Sequence, residues 1–131
     1  MRKVDLRGMG GSEKEIAKLF PKLVRVDAVL YDFVDPTTGT RYEIKKTANP
    51  KLQSWIDPTK YINLSQEDRN IVFRFVYYDK NTGRCKEYVD TSLGEIVDRF
   101  VPKEVLSSAK KLLKLFPRRG LFQFKLSIKF R

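Results

Sequence analysis

Two strand–turn–strand patterns constrain the fold of this chain more than any other feature. The first is a predicted hairpin over 23–47, whose first strand is expected to be long and to cover 23–34. The second covers 70–90 and turns through 80–83. Val, Ile, Tyr and Phe favour strands, whereas Pro, Asn and Gly favour the turns between them. A chain with two such patterns is expected to build a β-sheet.

Helical patterns surround the two hairpins. Ser12 and Glu15 form a capping-box pattern at the start of a short helix predicted over 12–20. Thr91 or Ser92 is expected to cap another short helix ending near residue 99. Further predictions are a helix over 102–116 that opens on Pro102 and a final strand over 121–130. Residues 48–66 are ambiguous, because Pro50 and Pro58 exclude a long helix, and 52–56 could form one helical turn.

This order of elements predicts an α/β (α+β) fold, with a mixed central β-sheet flanked by helices. The chain has 131 residues, which is the size of one domain, and 41% of them are hydrophobic. We therefore expect a single domain over 1–131. Residues 1–11, with three glycines and three basic side chains, are expected to form a flexible basic arm.

The formal net charge of +11 at pH 7 is the strongest indication of a partner. A domain does not need such an excess to fold, and its consequence is a positive potential that attracts polyanions. Nucleic acid is the expected partner, because phosphate backbones are the most common polyanions in cells. An acidic protein surface is a competing target.

The sequence contains no histidine and a single cysteine, Cys85. Without histidine the chain has no Ser-His-Asp triad and no histidine general base, so a hydrolase would rely on carboxylates, lysine or a metal ion. The single cysteine fits a reducing compartment. No secretory signal or membrane-spanning run is evident, so we expect an intracellular, cytoplasmic protein (in the host cell if it is viral) without a membrane partner.

Asp32, Glu43 and Lys45 are the residues whose pattern indicates chemistry. Glu43 and Lys45 lie two apart on one strand and therefore point to the same face. The hairpin brings Asp32 on the preceding strand beside Glu43. Two converging carboxylates suit Mg²⁺, which keeps several waters and accepts substrate phosphate oxygens. Lys45 would then lie beside the attacking water.

This hairpin resembles the active-site hairpin of the PD-(D/E)XK nuclease superfamily, and most closely that of certain type II restriction endonucleases. The matching residues are Asp32, Val34, Asp35, Gly39, Tyr42, Glu43, Ile44 and Lys45. Tyr31 departs from the proline in the motif's name. The resemblance implies a restriction-endonuclease-like core, Asp32 and Glu43 as Mg²⁺ ligands with Mn²⁺ as a substitute, and Lys45 as the residue that positions the water.

The resulting prediction is a metal-dependent DNA endonuclease for restriction, homing, repair or junction resolution. RNA stays open as a substrate, because a positive groove binds either backbone. Cutting both strands of a duplex takes two active sites, so a homodimer is expected. The residues predicted to contact nucleic acid are Lys46, Trp55, Lys60, Arg118 and Arg119.

Simpler interpretations of the same residues remain open from the sequence. Glu43 and Lys45 also fit an ordinary solvated strand face. Asp27 is an alternative carboxylate on the first strand, and Glu15 could add another from the first helix. At the level of function, the alternatives are a non-catalytic basic nucleic-acid-binding or architectural protein, and a basic protein-interaction module.

Overall fold

Strands and helices alternate along the chain in a computed structural model that describes residues 11–115 and 124–130. The elements in these ranges are α1 (Gly11–Leu19), β1 (Val24–Arg25), β2 (Phe33–Val34), β3 (Arg41–Thr47), β4 (Lys51–Ile56), a 3₁₀ helix (Pro58–Tyr61), α2 (Gln66–Arg69), β5 (Val72–Tyr78), β6 (Cys85–Ser92), α3 (Leu93–Glu95), a π-helical turn (Ile96–Phe100), α4 (Lys103–Leu115) and β7 (Phe124–Lys129).

Five of the strands form one mixed sheet in the order β1-β2-β3-β5-β6, and β4 pairs with β7 in a separate antiparallel ribbon. β3 and β5 run parallel at the centre of the sheet, while the other neighbours run antiparallel. The connection from β3 to β5 contains β4, the 3₁₀ helix and α2. The predicted mixed α/β class, with a mixed sheet and helices, is confirmed.

The long strand predicted over 23–34 is wrong. The chain reverses within this segment, so that Arg25 of β1 pairs with Phe33 of β2 in antiparallel register. The reversal is favoured because it places Leu30 against the larger hydrophobic core. Asp32 is the last residue before β2, at the end of the connecting loop.

The two turns between hairpin strands are confirmed, and they close in the same way. The amide of Gly39 donates to the carbonyl of Asp35 at 2.7 Å, and the amide of Gly83 donates to the carbonyl of Asp79 at 2.7 Å. Both glycines have left-handed φ values, of 76° and 73°, which side chains disfavour. The sequence predicted these turns because their geometry is local.

The helical turn considered at 52–56 is not formed, since these residues belong to β4. Leu52, Ser54 and Ile56 are buried, whereas the residues between them are exposed. This alternation has the period of a strand. Pairing with β7, which lies far along the sequence, stabilises the extended conformation.

The predicted helices agree better with the structure. The first helix is confirmed as α1, and Ser92 caps α3 by accepting a hydrogen bond from the amide of Glu95 at 3.1 Å. The helix predicted over 102–116 begins one residue after Pro102 and is described to Leu115. The predicted final strand is present as β7, and residues 121–123 of that prediction lie outside the described residues. Of the predicted basic arm, only Gly11 is described, at the start of α1.

Two hydrophobic clusters lie on opposite faces of the sheet. The smaller cluster joins Ile16 of α1 to Ile44 of β3. The larger cluster includes Phe73 and Phe75 of β5, together with side chains from the ribbon, α3 and the π-helical turn. Side chains alternate along β3, so Ile44 packs toward α1 while its two neighbours face the larger cluster.

We expect Ile44→Ala to lower the free energy of unfolding by about 2–4 kcal/mol, because it deletes buried methyl groups and leaves a cavity. Urea denaturation followed by circular dichroism would measure the change. A loss below about 1 kcal/mol would contradict the assignment of Ile44 to a packed core.

Candidate active site

The pairing of β2 with β3 sets Asp32 opposite Glu43. Phe33 pairs with Tyr42 in antiparallel register, which places the residue before Phe33 across from the residue after Tyr42. The amide of Asp32 donates to the carbonyl of Tyr42 at 3.0 Å and extends this ladder by one bond. The two carboxylates therefore meet across adjacent strands, as the sequence predicted.

Glu43 lies in an environment that disfavours its charged form. Its side chain is only 15% exposed. Burial is the main cause that raises the pKa of Glu43, from 4.5 to about 8. Asp32 adds to the increase as a neighbouring negative charge and as a hydrogen-bond partner, while Lys45 and Lys60 oppose it.

Lys45 shares the sheet face of Glu43. Its Nζ lies 3.7 Å from Oε1 of Glu43, and its side chain is 37% exposed. In the parallel pairing with β5, Glu43 lies beside Phe73 and Lys45 beside Phe75, both of which are fully buried. The Lys45 ammonium thus extends from the edge of the core toward solvent, next to the carboxylate pair.

The 3₁₀ helix after β4 adds Lys60 and Tyr61 to this site. Asp57 is the N-cap of the 3₁₀ helix. Its Oδ1 accepts hydrogen bonds from the amide of Thr59 at 3.0 Å and from the Thr59 hydroxyl at 2.5 Å. Tyr61 is buried, and burial together with the negative charge of Glu43 raises the pKa of its phenol. Sequence reasoning assigned Lys60 to nucleic-acid contact and did not single out Tyr61.

The residues present fit a hard divalent cation. Two carboxylates that face each other away from bulk water repel, and a cation between them would relieve the repulsion. Within the described residues, no group of three or more Asp, Glu, His or Cys side chains is placed to hold a metal. Asp32 and Glu43 would therefore supply two ligands, and Mg²⁺ commonly binds through one or two carboxylates with waters and phosphate completing its shell.

The alternative carboxylates do not join this pair. Asp27 is exposed in the loop between β1 and β2, and it is not among the groups that shift the pKa of Glu43. Glu15 forms an ion pair with Lys46 on the α1 side of the sheet. The Lys46 side chain, which was predicted to contact nucleic acid, is 13% exposed, and its Nζ lies 4.6 Å from the ring centre of Tyr78.

The other predicted nucleic-acid contacts have different positions. Trp55 is 60% exposed on β4, away from the core. The Nζ of Lys125 on β7 lies 5.8 Å from the centre of its indole ring. Arg118 and Arg119 lie outside the described residues.

A basic groove extends from the 3₁₀ helix along α4. Two adjoining hollows, of about 320 and 540 Å³, share Asn63 and Lys110 in their walls, and Tyr61 lines the first of them. The lysines that line this α4 groove are Lys103, Lys110, Lys111 and Lys114. Tyr61 in the wall of the groove is within electrostatic range of Glu43, whose negative charge helps to raise the pKa of the Tyr61 phenol.

Comparison with protein-family models and with curated proteins finds no match to this chain. In the part of the chain that the structure describes, no helix is long and apolar enough to cross a membrane.

The raised pKa of Glu43 links stability to pH. Between pH 4.5 and about 8, unfolded Glu43 has lost its proton while the folded protein retains it, so the free energy of unfolding falls as pH rises. The loss should be about 3 kcal/mol, since each pKa unit corresponds to about 1.4 kcal/mol and solvent screens part of the shift.

We therefore expect Glu43→Gln to gain stability relative to the wild-type protein as pH rises from about 5 to about 8.5. Urea denaturation of both proteins at each pH would measure this difference. If the difference in the free energy of unfolding between the two proteins does not change with pH, folding does not raise the pKa of Glu43.

Proposed function

We propose that this protein is a metal-dependent DNA endonuclease of the PD-(D/E)XK kind. The observation that carries the proposal is the meeting of Asp32 and Glu43 across β2 and β3, with Lys45 on the same face as Glu43 and 3.7 Å from it. These residues match the family's acid, second acid and lysine in type, order and strand position.

The surrounding fold supports a restriction-endonuclease-like core. β3 carries Glu43 and Lys45, and it lies between antiparallel β2 and parallel β5 in the mixed sheet. α1 covers the opposite face through Ile16 and Ile44. This arrangement fixes the active-site strand from both sides and leaves the Lys45 end of the site open to substrate.

Each residue has a distinct role in the proposed hydrolysis. Asp32 and Glu43 would hold Mg²⁺ (Mn²⁺ as a substitute), and the ion would supply Lewis acidity toward the scissile phosphate and a bound water. Lys45 donates a hydrogen bond to the attacking water or offsets charge on the phosphorane. Lys60, the second cation near Glu43, stabilises negative charge at the phosphate. A P–O bond forms to the water oxygen, which releases a proton to solvent, and the P–O bond to the leaving sugar oxygen breaks as that oxygen takes up a proton from solvent.

The α4 groove supports a nucleic acid as the substrate. Four lysines line a groove that has Tyr61 in its wall, and the negative charge of Glu43 helps to raise the pKa of Tyr61. A row of cations that leads to the site of phosphate chemistry fits a backbone that carries a regular series of negative charges. We propose DNA as the substrate, with RNA as an open alternative for the same groove.

Duplex cleavage at one locus requires two such sites, so we propose that the protein acts as a homodimer inside the cell. Val89 and Phe100, which are 43% and 51% exposed, line an apolar groove of about 420 Å³ beside edge strand β6. This groove offers a surface for the second copy. Restriction, homing, repair and junction resolution are all compatible roles.

A second candidate function is a nucleic-acid-binding protein without catalysis. It is favoured by the net charge of +11, which attracts a polyanion whether or not a metal ion is bound. The α4 groove would serve this function equally well. In the endonuclease, replacing Asp32 or Glu43 would lower the rate of cleavage. In the non-catalytic protein, the same replacement would change only the stability of the fold.

We expect the protein to nick or linearise supercoiled plasmid in Mg²⁺ or Mn²⁺ and to be inactive in EDTA. Lys45→Ala and Glu43→Gln should each lower the rate by about 10² to 10⁴ fold, because each removes a group that acts on the reacting phosphate. Gel analysis of plasmid forms measures the rate, and the same protein should be tested on branched DNA.

Exposed Lys86 and nearby Glu87 on β6 provide matched controls, since both lie outside the site. Lys86→Ala and Glu87→Gln should cleave as the wild-type protein does. Glu43→Gln should still bind DNA. Tight binding without cleavage on any substrate, in every metal, would favour the non-catalytic function.

We also expect the α4 groove to determine the salt dependence of DNA binding. Replacing Lys110 and Lys114 with Ala should reduce the slope of log K against log salt by about 2, since each phosphate contact contributes about 0.9. Anisotropy titrations at several salt concentrations measure the slope. Replacing exposed Lys18 and Lys22, which lie at or near α1, should leave it nearly unchanged.

A further inference from the structure

The outer face of the β4–β7 ribbon forms a second basic surface, separate from the α4 groove. Strand alternation directs one set of side chains into the larger core and the other set into solvent. The cross-strand pairs that it exposes, here called the ribbon face, are Lys51–Lys129, Gln53–Ser127 and Trp55–Lys125.

Its composition is complementary to a polyanion. Three of the six side chains are lysines and none is acidic. The pair Lys51–Lys129 and the pair Trp55–Lys125 are four residues apart, which in antiparallel strands corresponds to about 13 Å. The ribbon face therefore has cations at both ends of a surface that is long enough for a few nucleotides.

Trp55 adds an aromatic surface at one end of the ribbon face, across from Lys125. The indole is 60% exposed, so most of its apolar area is in contact with water. Lys125 lies over one side of the ring, with Nζ 5.8 Å from the ring centre, which restricts the ring without covering it. An exposed aromatic ring among cations is the arrangement on which unpaired bases stack.

We propose that the ribbon face binds a single-stranded segment of DNA, with a base stacked on Trp55 and phosphates on Lys51, Lys125 and Lys129. The inference rests on the proposed function in taking DNA as substrate, and it specifies the substrate class as DNA with an unpaired segment. Base pairs in intact duplex hide their faces from such a ring. A protein partner is disfavoured because lysine is depleted from protein interfaces.

The chain's single tryptophan makes the proposal directly measurable. In EDTA, where cleavage does not occur, a single strand of about 12 nucleotides should quench the fluorescence of Trp55 and bind about tenfold more tightly than the same sequence as duplex. Trp55→Ala should weaken single-strand binding by about tenfold to a hundredfold, measured by anisotropy of a labelled strand, and Trp55→Tyr should restore most of it.

Three controls distinguish base stacking on Trp55 from the effect of net charge and from a change in folding. Trp55 is exposed, so circular dichroism of its variants should match the wild-type spectrum. Replacing Lys18 and Lys22 with Ala changes the net charge by two on the α1 side and should not alter quenching. Polyphosphate, which has no bases, should bind without quenching.

Single-strand binding that leaves the fluorescence of Trp55 unchanged, or that survives Trp55→Ala, would overturn the inference. A preference for intact duplex would also overturn it. Failure of the proposed function has a different signature: the wild-type protein and Glu43→Gln would both bind and quench, and neither would cleave in any metal. Cleavage of plain duplex that is indifferent to Trp55 would reject the inference and retain the endonuclease.

Discussion

The burial of Glu43 opposite Asp32 is the constraint on which the rest of the site depends. Placing a carboxylate at the edge of an apolar core is unfavourable, and a second carboxylate beside it adds to the cost. A packed apolar residue would stabilise the same position better. The pair is therefore difficult to explain as a device for stability, and it is readily explained as a binding site for a cation. Lys45 and Lys60 partly compensate the charge and keep the pair compatible with folding.

Strand β3 positions the site within the fold, because the side chains on its two faces pack toward different layers, α1 on one side and the larger core on the other. Ile44 packs toward α1, while Glu43 and Lys45 face the larger core beside Phe73 and Phe75. The parallel pairing of β3 with β5 requires a crossover, and that crossover contains β4 and the 3₁₀ helix. Because the crossover contains the 3₁₀ helix, it places Lys60 and Tyr61 within electrostatic range of Glu43.

The parts that the sequence predicted are those governed by local chemistry. The turns at Gly39 and Gly83, the cap at Ser92 and the opposition of Asp32 to Glu43 follow from residues close in the chain. The pairing of β4 with β7 joins segments that lie far apart in the chain, and the reversal within 23–34 packs Leu30 against a core built mainly from later segments, so sequence patterns specify neither of them. The segment from Lys51 to Ile56 stays ambiguous from the sequence, because Pro50 and Pro58 at its ends exclude a long helix without specifying a strand. The ion pair that removes Lys46 from the surface is likewise a distant contact.

Two basic surfaces on one small chain are best understood as different kinds of recognition. Lysines along the α4 groove can hold a backbone near the carboxylate pair, but phosphates are alike in every nucleic acid and give no selectivity. The ribbon face adds Trp55, whose stacking distinguishes an exposed base from a paired one. Under the proposed function, the chemistry would lie on β3, α4 would position the backbone, and β4 and β7 would select the substrate structure. Because β4 follows β3 after a short connection, a substrate held on the ribbon is linked to the strand that carries Glu43 and Lys45.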